Sequence, residues 1–352
     1  MAVEDLVISG TRIRPGQRLT LDLQLAKLYT HASIAMPLQV VRGKKPGVTM
    51  FVSAAIHGDE LNGVEIIRRL LKSSSLQRLH GSLIAIPIVN IYGFIQHSRY
   101  LPDRRDLNRT FPGSEKGSLA ARLAHLFTNE IVKQCDYGID IHTGAQHRSN
   151  LPQIRGNLDD PQIVRLAHAF GVPVLLNSDI RDGSLREAAS DLGIPTLLYE
   201  AGEALRFDEV AIRAGVRGVL NVMRELGMLP PAKQGRQRTL PEPFIARSSA
   251  WIRAPSSGIM RPMVALGAKV VTGNLLGVIS DPFGERETRV VSPHEGIVIA
   301  RTNLPLANEG DALFHIARFK EVDDVAAQVE EFQDNHTPTD FASPVNPESP
   351  II

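Results

Sequence analysis

Residues 48–60 read VTMFVSAAIHGDE, a run of mostly apolar and β-branched side chains broken abruptly by His57-Gly58-Asp59-Glu60. A short apolar run ending in a glycine-containing turn is a strand buried on both faces, as in a parallel or mixed sheet. Asn62–Lys72 follows with helical periodicity, Ser82–Val89 reads as a second strand and Ser118–Gln134 as a second, longer helix. The alternation continues through Tyr137–Ile141 (strand), Pro161–Phe170 (helix), Val172–Leu176 (strand), Ser184–Leu192 (helix), Pro195–Tyr199 (strand) and Asp208–Leu226 (helix). It predicts an α/β fold, a mixed, mostly parallel sheet with helices on both faces.

Outward from this core, residues 1–40 carry edge-strand patterns such as Leu19-Thr-Leu-Asp-Leu and are expected to pack as a β segment on a catalytic domain spanning 41–228. The Pro/Gly/polar stretch 229–244 reads as a linker. Residues 245–320 show short strands, no helical period, and a weak repeat. Ala254-Pro-Ser-Ser-Gly-Ile-Met matches Ser292-Pro-His-Glu-Gly-Ile-Val, and Gly273-Asn-Leu-Leu matches Gly310-Asp-Ala-Leu. Two such copies resemble the barrel-sandwich hybrid of lipoyl and biotinyl domains, which implies an all-β C-terminal domain. The segment where those carriers hold their cofactor lysine, Ser280–Arg289, has no lysine here, which argues against a carrier role. Residues 321–352 are expected to form a short helix and an acidic, largely disordered tail.

The net charge of +1 conceals an asymmetry. Residues 321–352 hold eight acids and no Lys or Arg, leaving 39 basic against 30 acidic residues in the body. That field favours a small anionic substrate. No basic run with interleaved aromatics points to nucleic acid, and no apolar run of about eighteen residues points to a membrane. A single cysteine, Cys135, excludes an intrachain disulfide framework. With an N-terminus lacking an apolar leader, it predicts a cytoplasmic protein. Assembly into a homo-oligomer is compatible with the sequence.

Three polar clusters fall at the carboxyl ends of predicted strands: His57-Gly-Asp-Glu60, Asp140-Ile-His142-Thr-Gly and Glu200-Ala-Gly. In open α/β sheets these ends converge on one crevice. A hydrolytic zinc needs three nitrogen or oxygen donors and an open position, and His57, Glu60 and His142 supply that set for one Zn2+ per chain. Asp140 can fix the tautomer of a ligand histidine, and Glu200 is positioned as the general acid/base. In Asp106-Leu-Asn108-Arg109-Thr-Phe-Pro-Gly, the Asn-Arg pair suits a substrate carboxylate. The plainer alternatives are that Asp59 caps a helix beside incidental polar residues, and that Arg109 bridges Asp103 or Asp106. His147, in the polar loop after His142, is a further candidate substrate contact.

In this order, H-G-D-E, D-L-N-R-T-F-P-G, D-I-H-T-G and Y-E-A-G resemble the succinylglutamate desuccinylase/aspartoacylase family, relatives of zinc carboxypeptidases, over about residues 40–226. The resemblance implies zinc on His57, Glu60 and His142, Glu200 as acid/base, Asn108 and Arg109 as carboxylate clamp, and Arg99 and Arg186 as additional substrate or carbonyl contacts. It also implies a trailing β-domain that narrows the site entrance. The expected activity is hydrolysis of the amide of an N-acyl amino acid or similar small carboxylate-bearing amide. The alternatives are a carboxypeptidase-like hydrolase acting on a peptide or polymer C-terminus, and an inactive binding or scaffold protein. Early strands and the acidic tail set the chain apart from the enzymes that give the family its name, so the substrate's identity does not carry over.

Overall fold

The computed structural model describes residues 6–178, 181–231, 243–246 and 248–337. The deciding stretch forms the strand Lys45–Ala54 in the middle of a large mixed sheet. Met50, Val52 and Ala54 enter a core on one face with Ile139, Ile141, Leu197 and Tyr199. Phe51 enters a second core on the opposite face with Met36, Leu38, Ile84 and Ile86. Burial on both faces is why this strand reads as a continuous apolar run instead of an alternating one. Helices Asn62–Lys72, Pro161–Phe170 and Glu209–Glu225 cover the first face, and Ile91–Ile95, Leu119–Glu130 and Leu185–Asp191 the second.

The central order is Arg18–Lys27, Ser33–Arg42, His80–Ile86, Lys45–Ala54, Tyr137–Gly144, Thr196–Glu203, Arg148–Gly156. Lys45–Ala54 runs parallel to both neighbours, and Thr196–Glu203 parallel to Tyr137–Gly144. The first two strands form an antiparallel edge of this sheet. Ser118–Gln134 divides into a helix ending at Glu130 and a 3-10 turn, Val132–Gln134.

One strand escapes sequence periodicity. Arg148–Gly156 lies antiparallel to Thr196–Glu203 although it contains Pro152 and alternates little. Its other edge pairs with Gly296–Thr302 through residues 148–150 and with Val174–Asn177 through residues 153–156. Pro152 therefore falls where pairing changes partner, a break at which a strand tolerates a missing donor.

The longer strands of the two repeat copies go to different sheets, while each copy lends a short strand, Lys269–Val270 or Leu306–Ala307, to the other's sheet. Gly258–Pro262 and Leu275–Ser280 belong to a separate four-stranded sheet, whereas Gly296–Thr302 and Ala312–Arg318 extend the large one. Ile252, Met260, Leu276, Ile279, Val298 and Phe314 fill the space between them. Phe244–Ala246 pairs with Val174–Asn177; the central part of the expected linker, residues 232–242, lies outside the described residues. The acidic helix Val322–His336 packs Val325 and Val329 against the large sheet, and the tail from residue 338 lies outside the described residues. Among the described residues no helix is long and apolar enough to cross a membrane.

Candidate active site

Beyond Ala54 the chain turns through Ala55, whose φ of 51° is uncommon for a non-glycine residue. It then presents His57 and Glu60 above the sheet edge. Gly58 matters here for packing: a Cβ would lie 2.0 Å from the backbone carbon of Gly93, so any side chain would push the His57 loop off the Asn90–Phe94 turn. Strand alternation turns Asp140 and His142 to the sheet face opposite Ile139 and Ile141. Glu200 is the register partner of His142 on the adjacent strand. Residues distant in sequence are thus joined at three neighbouring strand ends.

His57, Glu60 and His142 are each almost fully buried, and one donor atom from each lies within 4.8 Å of the others. The Nδ1 atoms of both imidazoles face the Glu60 carboxylate, at 2.6 Å for His57 and 2.9 Å for His142. Their Nε2 atoms face outward onto carboxylates, Asp106 at 3.1 Å and Asp140 at 2.7 Å. Ser53 donates to the far oxygen of Asp140 at 2.8 Å, and the Thr143 amide donates to Glu60 at 3.1 Å.

A neutral imidazole carries one N–H. With that proton directed to Asp106 or Asp140, the Nδ1 lone pair points at an anionic Glu60, an arrangement that needs a positive charge between them. Burial opposes charge on the histidines, but Glu60 with Asp106 raises the pKa of His57, and Asp140 with Glu60 raises that of His142 well above its ordinary value. Burial likewise opposes charge on Glu60, yet the two histidines hold its carboxyl far below the usual range. The Arg99 guanidinium, 3.2 Å from His57 Nδ1, meets part of this demand, and protons or a divalent cation can meet the rest. Two imidazole nitrogens, a carboxylate and outward hydrogen bonds that fix the tautomers fit zinc.

Arg99 lies beside this group, bonding Asp106 at 2.8 and 3.2 Å and reaching within 3.5 Å of Glu60. Burial disfavours its charge, but Glu60 and Asp106 raise its pKa. Asp106 is thus bridged by Arg99 and His57, and it also caps the turn Leu107–Arg109. The link to His57 was missed in the sequence; its position two residues before Asn108, in one motif, was the available signal. Asn108 is buried, its Oδ1 accepting from the Leu185 amide at 2.9 Å, which leaves Nδ2 for other partners. Arg109 is exposed and donates to the Asn108 carbonyl. Arg186 donates to the Ser178 hydroxyl at 3.1 Å and borders a cavity with Asn157, Asp160 and Thr196. His147 is exposed in a turn with φ 61°, its amide bonded to Glu203. Cys135 is buried, and burial raises its pKa, as for an inert thiol.

Glu200 is half-buried. Its Oε2 accepts from Asn150 at 2.5 Å and lies 3.4 Å from Arg155. Both partners belong to the strand that the sequence left unassigned, so neither was singled out.

A mixed sheet flanked by helices, with a buried His–Glu–His donor group and a carboxylate beside it, defines an α/β protein built around a candidate metal centre. The chain belongs to the succinylglutamate desuccinylase/aspartoacylase family, whose catalytic-domain model matches residues 46–226. It is 26% identical over 306 residues to an N-alpha-acetyl-L-2,4-diaminobutyric acid deacetylase from Halomonas elongata, covering 82% of this chain and 87% of the relative. A crystal structure of a succinylglutamate desuccinylase/aspartoacylase from Rhodobacter sphaeroides superimposes with a TM-score of 0.77 at 25% identity, covering 87% of this chain and 97% of that one. Product-bound ectoine utilization protein EutE (DoeB) from Ruegeria pomeroyi shares the fold, with a TM-score of 0.77 at 24% identity over 87% of this chain and 96% of that one.

Proposed function

We propose that the protein is a zinc-dependent deacylase that hydrolyses the amide of an N-acyl amino acid or a similar small carboxylate-bearing amide. The observation that carries this reading is the pairing of two inward Nδ1 atoms and Glu60 with two outward Nε2–carboxylate bonds, next to Glu200. The family match and the diaminobutyrate deacetylase support the reaction class. His57, Glu60 and His142 would hold the ion, with Asp106 and Asp140 orienting the imidazoles.

When bound, zinc supplies an acidified water and polarises the amide carbonyl. Glu200 accepts a proton and delivers it to the leaving nitrogen. Because Asn150 and Arg155 occupy Oε2, the shuttling atom is Oε1. Asn108, through Nδ2, and Arg109 bind a substrate carboxylate. Arg99 holds positive charge beside the carbonyl as negative charge develops on its oxygen.

The test is a screen of the zinc-loaded protein over N-acetyl and N-succinyl amino acids, with free amine as the readout and metal content measured in parallel. Amine release that depends on about one zinc per chain is the expected result. Full activity in metal-free protein, or no release across the panel, would overturn the assignment.

A further inference from the structure

A cavity of about 1010 Å³ opens at the end of the sheet opposite the His–Glu–His group. The strands Lys45–Ala54 and His80–Ile86 run parallel, with Lys45 the register partner of His80, and both begin here. The crevice of an open α/β sheet lies at the carboxyl ends of its strands, where His57 and Glu60 stand, whereas this cavity lies at the amino ends. The ten-residue strand Lys45–Ala54, about 33 Å long, separates the two.

Six basic side chains line the cavity, Arg18, Arg42, Lys44, Lys45, Lys72 and Arg78, and among the described residues no Asp or Glu does. Val41, Leu76 and Leu79, all buried, and half-buried Leu71 add aliphatic surface. Two glycines hold the Lys44-Lys45 pair in place. A Cβ on Gly43 would lie 2.0 Å from the Leu79 carbonyl oxygen, and one on Gly47 2.8 Å from the Gly81 amide nitrogen. The chain can therefore cross the start of the His80 strand only where side chains are missing. The stem of Lys44 lies against Gly16, where a Cβ would meet its Cγ at 3.1 Å.

Little negative charge answers these groups. Arg18 donates to the Gln39 side chain and to the Leu71 carbonyl, both at 2.7 Å and both uncharged. Lys44, Lys45, Lys72 and Arg78 have no side-chain hydrogen bond or ion pair among the described residues. Helix Asn62–Lys72 ends at the cavity, but a helix carboxyl end supplies only about half a negative charge. The crowding of positive charge extends to Arg224, whose pKa is lowered by burial and then by Arg78. Scattered over a convex surface, such side chains are simply solvated. Converging on a concavity with aliphatic walls, charges of one sign focus their field on whatever enters it. A carboxylate brings one charge, whereas linked phosphoryl groups bring several within one cavity, and both Arg and Lys bind phosphate well. The volume matches the upper end of small-ligand sites, about 300–1,000 Å³, and leaves room for an organic body against the leucines.

We propose that this cavity is a second ligand site, which binds an organic polyphosphate of the nucleoside triphosphate class. Lys44, Lys72 and Arg78 take the phosphoryl chain, and Leu71, Leu76 and Leu79 pack against the organic body. The site is separate from the deacylase chemistry at the other end of the sheet.

Full-length zinc-loaded protein is titrated calorimetrically with ATP, AMP, adenosine and inorganic tripolyphosphate, and the series is repeated after zinc removal to subtract chelation. ATP should saturate and bind at least tenfold more tightly than AMP, with no binding of adenosine. Tripolyphosphate should compete with ATP but bind more weakly. Lys72→Gln/Arg78→Gln should weaken ATP by about tenfold or more, as for loss of hydrogen bonds to a charged group. Arg286→Gln/Arg289→Gln removes the same charge from exposed positions of the β-domain and should leave ATP affinity unchanged. Lys72 and Arg78 are exposed as well, so both variants keep the fold, which circular dichroism checks. No saturable ATP binding, or equal losses in the two double variants, would overturn the site. Tripolyphosphate binding as tightly as ATP would overturn the organic body. Binding is read without turnover, so a failed deacylase screen leaves this site standing, and absent ATP binding leaves the deacylase reading standing.

Discussion

Replacing Asp140 tests whether the buried donor group holds a metal by design of its surroundings. Asp140 is 2% exposed and makes two hydrogen bonds, 2.7 Å to His142 Nε2 and 2.8 Å from Ser53 Oγ. It has no access to the ion, so any effect on metal affinity must pass through His142. In Asp140→Asn the amide oxygen can still accept from Nε2, while the negative charge that makes the imidazole a better donor is lost. In Asp140→Ala both bonds vanish, His142 loses its fixed orientation, and two buried polar groups are left unpaired. Outer carboxylates of this kind typically change metal affinity about 10- to 100-fold, or about 1.4–2.8 kcal/mol. We expect Asp140→Asn near the lower figure and Asp140→Ala near the upper. Asp140→Ala should also lose about 1–3 kcal/mol of stability from the groups left without partners. Zinc affinity is measured by competition with a fluorescent chelator at pH 8, where protons compete least for the histidines, and stability by urea unfolding of the metal-free proteins. Wild-type zinc affinity in a folded Asp140→Ala protein would refute the reasoning, as would equal losses in the two variants.

Glu200→Gln should keep zinc bound while lowering kcat by about 10²–10⁴-fold, the usual contribution of a general base; undiminished turnover would remove Glu200 from the chemistry. Arg109→Ala should weaken substrates with a free carboxylate at the Asn108–Arg109 clamp much more than their amidated analogues, so equal losses on both would dismiss the clamp. Glu65 joins Arg68 and Arg69, and Arg69 in turn grips Glu209 at 2.7 and 2.9 Å, tying together the two long helices on one sheet face. The hydrogen bond from Arg68 leads in holding the Glu65 pKa down to about 2. A depressed carboxylate stabilises the fold above its unfolded pKa, and that stability fades as pH falls through the folded value. Glu65→Gln should therefore cost about 1–2 kcal/mol at pH 7, after screening by the half-exposed Arg68. The gap to wild type should narrow between about pH 4.5 and pH 2 in denaturant titrations; a gap that does not vary with pH would contradict the ion-pair account.

The run VTMFVSAAI and the helices Asn62–Lys72 and Pro161–Phe170 were legible because local periodicity and end signals agree with the tertiary fold. The donor triad was legible for a different reason. Each of its residues stands at or just beyond the carboxyl end of a strand, and the carboxyl ends of parallel neighbours must lie together, so His57, Glu60 and His142 could be matched before any contact was known. Arg148–Gly156 was illegible. Its pattern answers to two different neighbours on one edge, and Pro152 marks the gap between them, a fact about pairing that no local window contains. For the same reason the sequence could nominate Glu200 but not Asn150 and Arg155 beside it, nor Asp106 behind His57. The sequence by itself determined the alternation of strand and helix, the identity of the donor residues and the all-strand character of residues 245–320. Only the tertiary structure decided that strands from the C-terminal region extend the large sheet, with Gly296–Thr302 paired to Arg148–Gly156 beside Thr196–Glu203. That outcome depends on backbone pairing between residues about 150 apart in the chain, where register is set by the fit of whole sheets and not by the residues on either side.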